Sequence, residues 1–165
     1  MNRQIILVAH DIRSCHNVGS LLRTADGLGV DEVYLTGYTP YPAMQGDKRL
    51  PHEAAKVDRQ IAKTALGAEQ SVKWKCEPEI DKVLVGLQKR GFKLVGLEQS
   101  PNSKNLTDFK PPTKVALIIG NEVTGLDSKL LALSSELVEI PMLGAKESFN
   151  VSAAAAMALY HLRFL

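Results

Sequence analysis

The amino-acid sequence predicts an α/β sandwich with a mostly parallel β-sheet. Apolar runs of strand length alternate along the chain with segments of helical periodicity, which is the order that builds a sheet covered by helices. One run, VALIIG at 115–120, has no polar interruption, as expected of a central strand that is buried on both faces. No internal repeat or linker-like composition divides the 165 residues, so a single domain spanning 1–165 is expected.

The first half of the chain is predicted to contain two strands and two helices in alternation. IILVA at 5–9 is the first strand. Apolar residues from Val18 to Leu28 recur at helical spacing, so a helix is expected there with Asn17 as its N-cap. EVYLTG at 32–37 is the second strand, and a polar, proline-containing loop separates it from a helical segment at 52–68.

The second half begins with a predicted helix at 77–91. Pro78 suits the first turn of this helix and Gly91 suits its end. The remaining elements are three strands, a short helix and an alanine-rich final helix, which in chain order cover 92–98, 115–120, 128–134, 137–141 and 150–165.

Composition and spacing exclude several classes of protein. No apolar run approaches the roughly 20 residues that a membrane helix needs, and MNRQIILVAHD lacks a signal-peptide pattern, so we expect a cytoplasmic protein without membrane contact. Cys15, Cys76 and four scattered histidines show no ligand spacing, so no metal site is expected. The turn HDIRSCHNVGS matches neither G-x-G-x-x-G nor the phosphate loop, which disfavours a dehydrogenase or a P-loop NTPase.

Three loops at the carboxyl ends of predicted strands carry unusual residues. GLEQSPNS places Glu98 directly after a strand, and IIGNEVTGL places Glu122 between glycines. IPMLGAKESFNVS runs into the last helix, where Ser148 or Asn150 suits the capping position. Because ligands of open α/β sheets bind at these strand ends, we expect a ligand site there.

Three segments together resemble the signature motifs of the SpoU/TrmH family of RNA 2′-O-ribose methyltransferases, which belongs to the SPOUT class. NVGSLLRTA, IIGNEVTGL and IPMLGAKESFNVSAAAAM occur in the family's order and spacing, and the resemblance covers essentially the whole chain. It implies a deep trefoil knot near the C-terminus, a homodimer, and S-adenosylmethionine as methyl donor with S-adenosylhomocysteine as product. The expected substrate is RNA, with tRNA first and ribosomal RNA second, and the chain resembles a minimal form without an added RNA-binding domain.

The resemblance also implies roles for individual residues. Arg23 corresponds to the arginine that activates the ribose hydroxyl, and Asn17 to the asparagine that positions the substrate. The further catalytic residues that it implies are Glu122, Ser148 and Asn150. The cofactor-binding residues that it implies are Leu97, Glu98, Gly120, Ile140, Met142, Ser148 and Phe149. Phe149 stands where an aliphatic residue is commoner in relatives.

The chemistry of Arg23 leaves two mechanisms open. Arginine is a poor general base because its guanidinium normally stays protonated. Either a desolvated site allows Arg23 to lose its proton, or Arg23 stays charged and stabilises the alkoxide that develops on the ribose. The residues alone are consistent with both.

Basic residues in two loops are candidates for contacts with RNA phosphates. Arg13 lies in the first loop, and Lys48 and Arg49 lie in the loop after the second strand. Lys56 to Lys63 holds further cations at helical spacing, which a solvated helix face would explain equally well. Two alternatives to an active enzyme are a catalytically silent RNA-binding dimer of the same fold and a small nucleotide-binding module, the second disfavoured by the missing phosphate loop.

Overall fold

The computed structural model describes residues 3–165 and contains one seven-stranded sheet in which all paired strands are parallel. The order of the strands across the sheet is β3-β2-β1-β6-β4-β7-β5. The predicted α/β fold with its parallel sheet is therefore confirmed. The strands are β1 Gln4–His10, β2 Glu32–Thr36, β3 Trp74–Glu77, β4 Lys93–Leu97, β5 Lys104–Asn105, β6 Lys114–Ile119 and β7 Glu136–Glu139.

Helices cover both faces of this sheet. They are α1 Cys15–Gly27, α2 Pro51–Ala65, α3 Ala68–Ser71, α4 Ile80–Lys89, α5 Ser128–Leu133 and α6 Val151–Phe164, with a 3₁₀ turn at Leu106–Asp108. Side chains of α1, α2 and α6 pack on one face, and those of α4 and α5 pack on the other. Among residues 3–165, no helix has both the length and the hydropathy that crossing a membrane requires.

The centre of the sheet is formed by β1 and β6, which pair along their lengths. Val115 to Ile119 are all buried, which confirms the prediction of a central strand covered on both faces. Successive side chains of β1 alternate between the two layers, with Leu7 in one core cluster and Val8 in the other. Both faces need apolar residues, so these strands show no polar interruption.

Two helices begin at other residues than the sequence predicts. Ser14, not Asn17, is the N-cap of α1, since Ser14 Oγ accepts a hydrogen bond from the backbone N–H of Asn17 at 3.2 Å. Serine caps as well as asparagine does, and Asn17 is thereby moved into the first turn, where its side chain can make a tertiary contact. Pro78 precedes α4, which begins at Ile80, instead of lying in its first turn, and its carbonyl oxygen accepts a hydrogen bond from the N–H of Gly37 in the turn after β2.

The sequence pattern misses both edge strands and one helix break. β3 and β5 have no fully buried side chain, so they lack the apolar run that marks the other strands. The backbone of β3 pairs with β2 and that of β5 pairs with β7, and backbone pairing cannot be recognised from side-chain hydropathy. The helix expected at 52–68 ends at Ala65, where Leu66 and Gly67 adopt left-handed φ angles of 52° and 97°.

Gly19 allows α1 and α2 to cross in close contact. A Cβ atom at this position would overlap Thr64 Oγ1 and the carbonyl oxygen of Ile61. Thr64 Oγ1 in turn donates a hydrogen bond of 2.8 Å to the carbonyl oxygen of His16 in the first turn of α1. The crossing therefore fixes the N-terminal end of α1, next to the loop that follows β1.

We expect Gly19→Ala to lower the free energy of unfolding by about 1–3 kcal/mol, because the added methyl group forces the two helices apart. The matched control is Gly86→Ala in α4, where no atom lies within 4 Å of the added Cβ. That change should raise the free energy of unfolding by about 0.5–1 kcal/mol through helix propensity. Urea unfolding followed by circular dichroism measures both values, and equal stability of the two variants would contradict the close crossing.

Candidate functional site

A cavity opens at the carboxyl ends of β4, β6 and β7. It is bounded by the loops that follow these strands and by the first turn of α6. Six residues predicted to bind a cofactor line it, namely Leu97, Glu98, Gly120, Ile140, Ser148 and Phe149. The seventh, Met142, is not among the lining residues. The position agrees with the expectation that ligands of open α/β sheets bind at strand ends.

The cavity wall combines apolar and acidic side chains. Leu97, Ile140 and Phe149 supply apolar surface, while the acidic residues are Glu98, Glu122 and Glu139. Such a wall suits a ligand that has a flat apolar part and a positive charge. Within the part of the chain that the structure describes, no group of three or more histidine, cysteine, aspartate or glutamate residues is arranged to hold a metal ion.

The loop after β6 is a tight turn that depends on its glycines. A Cβ atom on Gly120 would lie 2.6 Å from the carbonyl oxygen of Gly125, and Gly125 itself has a φ of +67°. Glu98 holds the far end of this loop, since its Oε2 accepts a hydrogen bond of 2.8 Å from the N–H of Leu126. Glu98 therefore shapes the cavity as well as lining it.

A chain of hydrogen bonds joins the three sequence motifs beside the cavity. Glu122 accepts hydrogen bonds from the N–H of Arg13 at 2.9 Å, the N–H of Ser14 at 3.2 Å and Asn17 Nδ2 at 2.9 Å. Asn17 Oδ1 then accepts a hydrogen bond of 3.0 Å from Asn150 Nδ2. Of the two predicted capping residues, Ser148 and Asn150, it is Asn150 that caps α6. Its Oδ1 accepts a hydrogen bond from the N–H of Ser152.

The surroundings of Glu122 favour its ionised form. Burial raises the pKa of this carboxyl, but hydrogen bonds from the N–H of Arg13, the Asn17 side chain and the N–H of Ser14 outweigh burial and bring the pKa below its ordinary value. The N-terminal end of α1, which carries positive partial charge, lies beside the same carboxylate. Because both of its oxygens accept hydrogen bonds, Glu122 fixes the positions of Arg13, Ser14 and Asn17 relative to the loop after β6.

Arg23 lies apart from this hydrogen-bonded chain. It follows Asn17 by six residues on α1, which corresponds to about 9 Å along the helix axis and a different helix face. The side chain is exposed and makes no hydrogen bond or ion pair with any residue in 3–165. Gly27, one turn further on, has no atom within 4 Å of where a Cβ would stand, so the helix surface at that position is open.

The basic residues expected to contact RNA occupy different environments. Arg13 and Lys48 are exposed. The Arg49 guanidinium instead donates to Asp47 at 2.5 and 2.9 Å and to the carbonyl oxygens of Tyr41 and Pro42. Hydrogen bonds from Arg49 lower the pKa of Asp47 to about 2. The hydrogen bonds of Arg49 thus stabilise its own loop, a role that the sequence pattern did not indicate.

Asn121 lines the cavity although no role was predicted for it. Its Nδ2 donates hydrogen bonds to the carbonyl oxygen of Asp11 at 3.1 Å and to Tyr38 Oη at 2.6 Å. Its Oδ1 accepts from the N–H groups of Val123 and Thr124. The available signal was its place in IIGNEVTGL, directly before Glu122, whereas its contacts with the loops after β1 and β2 have no sequence signature.

Comparison with known proteins places these motifs in a family. Residues 4–160 match the model of the SpoU rRNA methylase family. The chain is 30% identical over 145 residues to the tRNA (guanosine(18)-2′-O)-methyltransferase of Escherichia coli strain K12, a match that covers 88% of this chain and 56% of that protein. It is also 30% identical over 159 residues to a 23S rRNA (guanosine-2′-O-)-methyltransferase of Neisseria meningitidis serogroup B, covering 96% of this chain and 58% of that protein.

A solved structure supports the fold. The SpoU methyltransferase AviRb from Streptomyces viridochromogenes, in complex with the cofactor AdoMet, superimposes with a TM-score of 0.80 at 24% identity, covering 98% of this chain and 60% of that one. The likeness at this level of identity concerns the fold. The chain spans just over half the length of the two relatives described above.

We expect Glu122→Gln to lower the free energy of unfolding at pH 7 by about 1–2 kcal/mol, because glutamine has no charge and turns an amide donor towards other donors. The folded pKa of Glu122 lies below the ordinary value of 4.5, so its ionised form is the stabilising one. The difference between the two proteins should be complete well above pH 4.5 and should shrink as the pH falls through the folded pKa.

Urea unfolding at pH 7 and pH 3 measures this difference. Glu147→Gln, in the exposed loop before α6, is the control and should show no comparable loss at either pH. A Glu122→Gln deficit that stays constant down to pH 3 would mean that the carboxylate charge does not contribute to folding.

Proposed function

Because the chain belongs to the SpoU rRNA methylase family, we propose that it transfers a methyl group from S-adenosylmethionine to a ribose 2′-hydroxyl of RNA. The observation that carries the proposal is the hydrogen-bonded chain Glu122–Asn17–Asn150, which joins all three motifs at the cavity. A tRNA methyltransferase and a ribosomal RNA methyltransferase are each 30% identical to this chain. We propose tRNA as the first substrate to test and ribosomal RNA as the second.

The cavity residues fit S-adenosylmethionine. Leu97, Ile140 and Phe149 offer apolar surface for the adenine ring, and Gly120, which has no side chain, allows the close approach of the Gly125 backbone that shapes the loop bounding the cavity. The carboxylates of the wall complement the positive charge of the ligand. When bound, the cofactor supplies a methyl group on a positively charged sulfur, and AviRb is a relative by fold that contains it. Ser148 lines the same cavity two residues before Asn150, which supports the proposal that it completes the catalytic pocket.

Arg23 is the residue that we propose acts on the ribose. Its side chain is exposed, which favours a charged guanidinium that stabilises the oxyanion developing on the 2′-oxygen. The proton of the hydroxyl passes to solvent or to a substrate phosphate. Asn17 and Asn150 present amide groups that hold the ribose or its phosphate in line with the cavity, and such positioning is a large part of the catalysis of displacement reactions.

Exposed cations near the site are the proposed contacts for RNA phosphates. Arg13 is the nearest, because its own backbone N–H bonds to Glu122 while its side chain is exposed. Lys48 adds a second exposed charge in the loop after β2. The enzyme must select RNA, which carries the 2′-hydroxyl that DNA lacks.

We also propose that the C-terminal part of the chain forms the trefoil knot of the family. β7 lies between β4 and β5, although those two strands follow each other along the chain, so their connection must cross the later segment. The 3₁₀ turn at Leu106–Asp108 packs against α6, and His161 Nε2 on α6 donates a hydrogen bond of 2.7 Å to the carbonyl oxygen of Phe109. Both features support threading of the chain end through a loop, an arrangement that is rare in proteins.

The outer face of α6 supports the proposal of a homodimer. Ala153, Met157, Tyr160 and Phe164 are exposed and recur at i, i+4, i+7 and i+11, which places them in one stripe. The rings of Tyr160 and Phe164 lie 4.8 Å apart, and these side chains are 56% and 61% exposed. A contiguous apolar stripe of this kind is characteristic of protein–protein interfaces. A second copy of the chain is the partner that we propose.

Phe164→Asp should convert the protein from a dimer to a monomer, because a carboxylate in the apolar stripe opposes burial. Light scattering after gel filtration should show the unchanged chain at twice its mass of 18.0 kDa and the variant at 18.0 kDa. Val85→Asp, at a 48% exposed apolar residue of α4, is the control and should stay dimeric. A monomeric unchanged chain would contradict the proposed homodimer.

Arg23→Ala should lose methyl transfer by a factor of about a hundred or more while binding S-adenosylmethionine as before, because it removes transition-state charge stabilisation only. Transfer of a radiolabelled methyl group to tRNA from cells that lack the protein measures the first quantity, and calorimetry measures the second. Mapping of 2′-O-methyl sites in total RNA from cells with and without the protein identifies the position.

Arg23→Lys is the matched control, since it keeps the charge but loses the planar guanidinium. Activity of Arg23→Ala equal to that of the unchanged chain would remove Arg23 from the mechanism. Measurable cofactor binding without any difference in the 2′-O-methyl map would instead favour a catalytically silent RNA-binding protein.

A further inference from the structure

Tyr38 presents an exposed aromatic ring at the edge of the cavity. Its side chain is 62% exposed, although its hydroxyl oxygen lies 2.6 Å from Asn121 Nδ2. Asn121 lines the cavity and directly precedes Glu122. One end of the ring is therefore held against the cavity wall while its faces are left to solvent.

The turn that carries Tyr38 is strained and tightly fixed. Asp11, at the end of β1, has a left-handed φ of 53°, which is uncommon for a residue other than glycine. Its Oδ1 accepts a hydrogen bond of 3.1 Å from the N–H of Tyr38. Gly37 has a φ of 63° and approaches so closely that a Cβ atom there would overlap the Asp11 carboxylate. Strain of this kind persists where the surroundings enforce it, and it is concentrated at functional sites.

Hydrogen bonds on both sides of Tyr38 enforce this conformation. Thr39 Oγ1 accepts from the N–H of Ile12 at 3.0 Å and lies 2.7 Å from the carbonyl oxygen of Thr36. Thr36 Oγ1 is 2.9 Å from His10 Nδ1. The segment after β2 is thus attached to the end of β1 before and after Tyr38. The ring is held in place without packing in the core.

We infer that Tyr38 stacks on a base of the bound RNA, at or next to the nucleotide whose ribose enters the cavity. Proteins hold unpaired bases of single-stranded RNA on aromatic side chains, which provide a flat face for any base. A ring that is fixed beforehand loses little conformational freedom on binding. The inference rests on the proposed function, because it assigns Tyr38 to the RNA side of the same site. Tyr38 is then a positioning residue for the substrate.

The position of Tyr38 agrees with this role. Asn121 and Glu122 are consecutive, and Asn121 bonds to Tyr38 while Glu122 bonds to the catalytic Asn17. Two consecutive residues of the loop after β6 therefore bond to the proposed stacking ring and to the proposed catalytic amide. Arg13, the proposed phosphate contact, is two residues after Asp11, whose side chain fixes Tyr38. Contacts for phosphate, ribose and base thus lie along one edge of the cavity.

Two substitutions separate stacking from a structural role of the hydroxyl group. Tyr38→Phe keeps the ring and removes the hydrogen bond to Asn121, whereas Tyr38→Leu removes the aromatic face and keeps apolar bulk. With tRNA from cells that lack the protein, Tyr38→Leu should raise KM for the RNA about 10-fold or more, with kcat changed much less. Tyr38→Phe should stay within about threefold of the unchanged chain, since its face still stacks. The affinity for S-adenosylmethionine should not change in either variant.

A second readout observes stacking without catalysis. A short single-stranded oligoribonucleotide containing 2-aminopurine loses fluorescence when its base stacks on a ring. The unchanged chain and Tyr38→Phe should quench this signal, and Tyr38→Leu should not, at protein concentrations at which fluorescence anisotropy shows that all of the RNA is bound.

Equal KM and equal quenching for Tyr38→Leu and the unchanged chain would overturn the inference. Equal losses for Tyr38→Phe and Tyr38→Leu would also overturn it, because the hydroxyl group would then be the part that matters. If the unchanged chain methylates no RNA, the proposed function fails, and the quenching experiment still decides whether Tyr38 stacks on a base.

Discussion

The candidate site depends on one partly buried interaction, in which the carboxylate of Glu122 accepts hydrogen bonds from several N–H groups. Its donors come from the loop after β1 and the first turn of α1, while Glu122 itself belongs to the loop after β6. Because β1 and β6 are neighbouring parallel strands, their loops emerge at the same edge and can be joined in this way. The same contact places Asn17 where Asn150, at the start of α6, can bond to it. Without Glu122, the loop after β1 and the first turn of α1 would lose the acceptor that ties them to the loop after β6.

Close backbone approaches hold the surrounding elements at the distances that this interaction needs. Gly19 lets α1 rest directly on α2, which fixes the helix end that carries Asn17. Gly120 and Gly125 allow the loop after β6 to fold back on itself, with Glu98 attached to its far end. These positions bear no chemistry of their own. They determine how far apart the chemical groups stand, and a methyl group at Gly19 or Gly120 would change that distance.

The loop after β6 also connects the two sides of the proposed reaction. Glu122 is joined to the residues proposed to hold ribose, and Asn121 is joined to Tyr38 and to the strained turn at Asp11. The opposite wall of the cavity, formed by the loops after β4 and β7, carries the residues proposed to hold the methyl donor. Arg23 is the exception, since it stands on a different face of α1 from Asn17 and outside the hydrogen-bonded chain.

The sequence by itself determined the parallel α/β sheet, the buried central strand and the three motifs, because each is a local pattern of hydropathy or of residue identity. It also indicated seven residues of the cavity wall, five of them within the motifs and two, Leu97 and Glu98, at the end of the strand that precedes the second motif. It did not reveal β3 and β5, which are held by backbone pairing at the sheet edges and have no fully buried side chain. Only the tertiary structure decided three further contacts. Asn17 donates a hydrogen bond to Glu122 instead of capping the helix, Arg49 supports its own loop, and Tyr38 lies beside Asn121. Each of these depends on which distant groups reach hydrogen-bonding distance, and that information lies in the packing of the elements and not in the order of residues within any one of them.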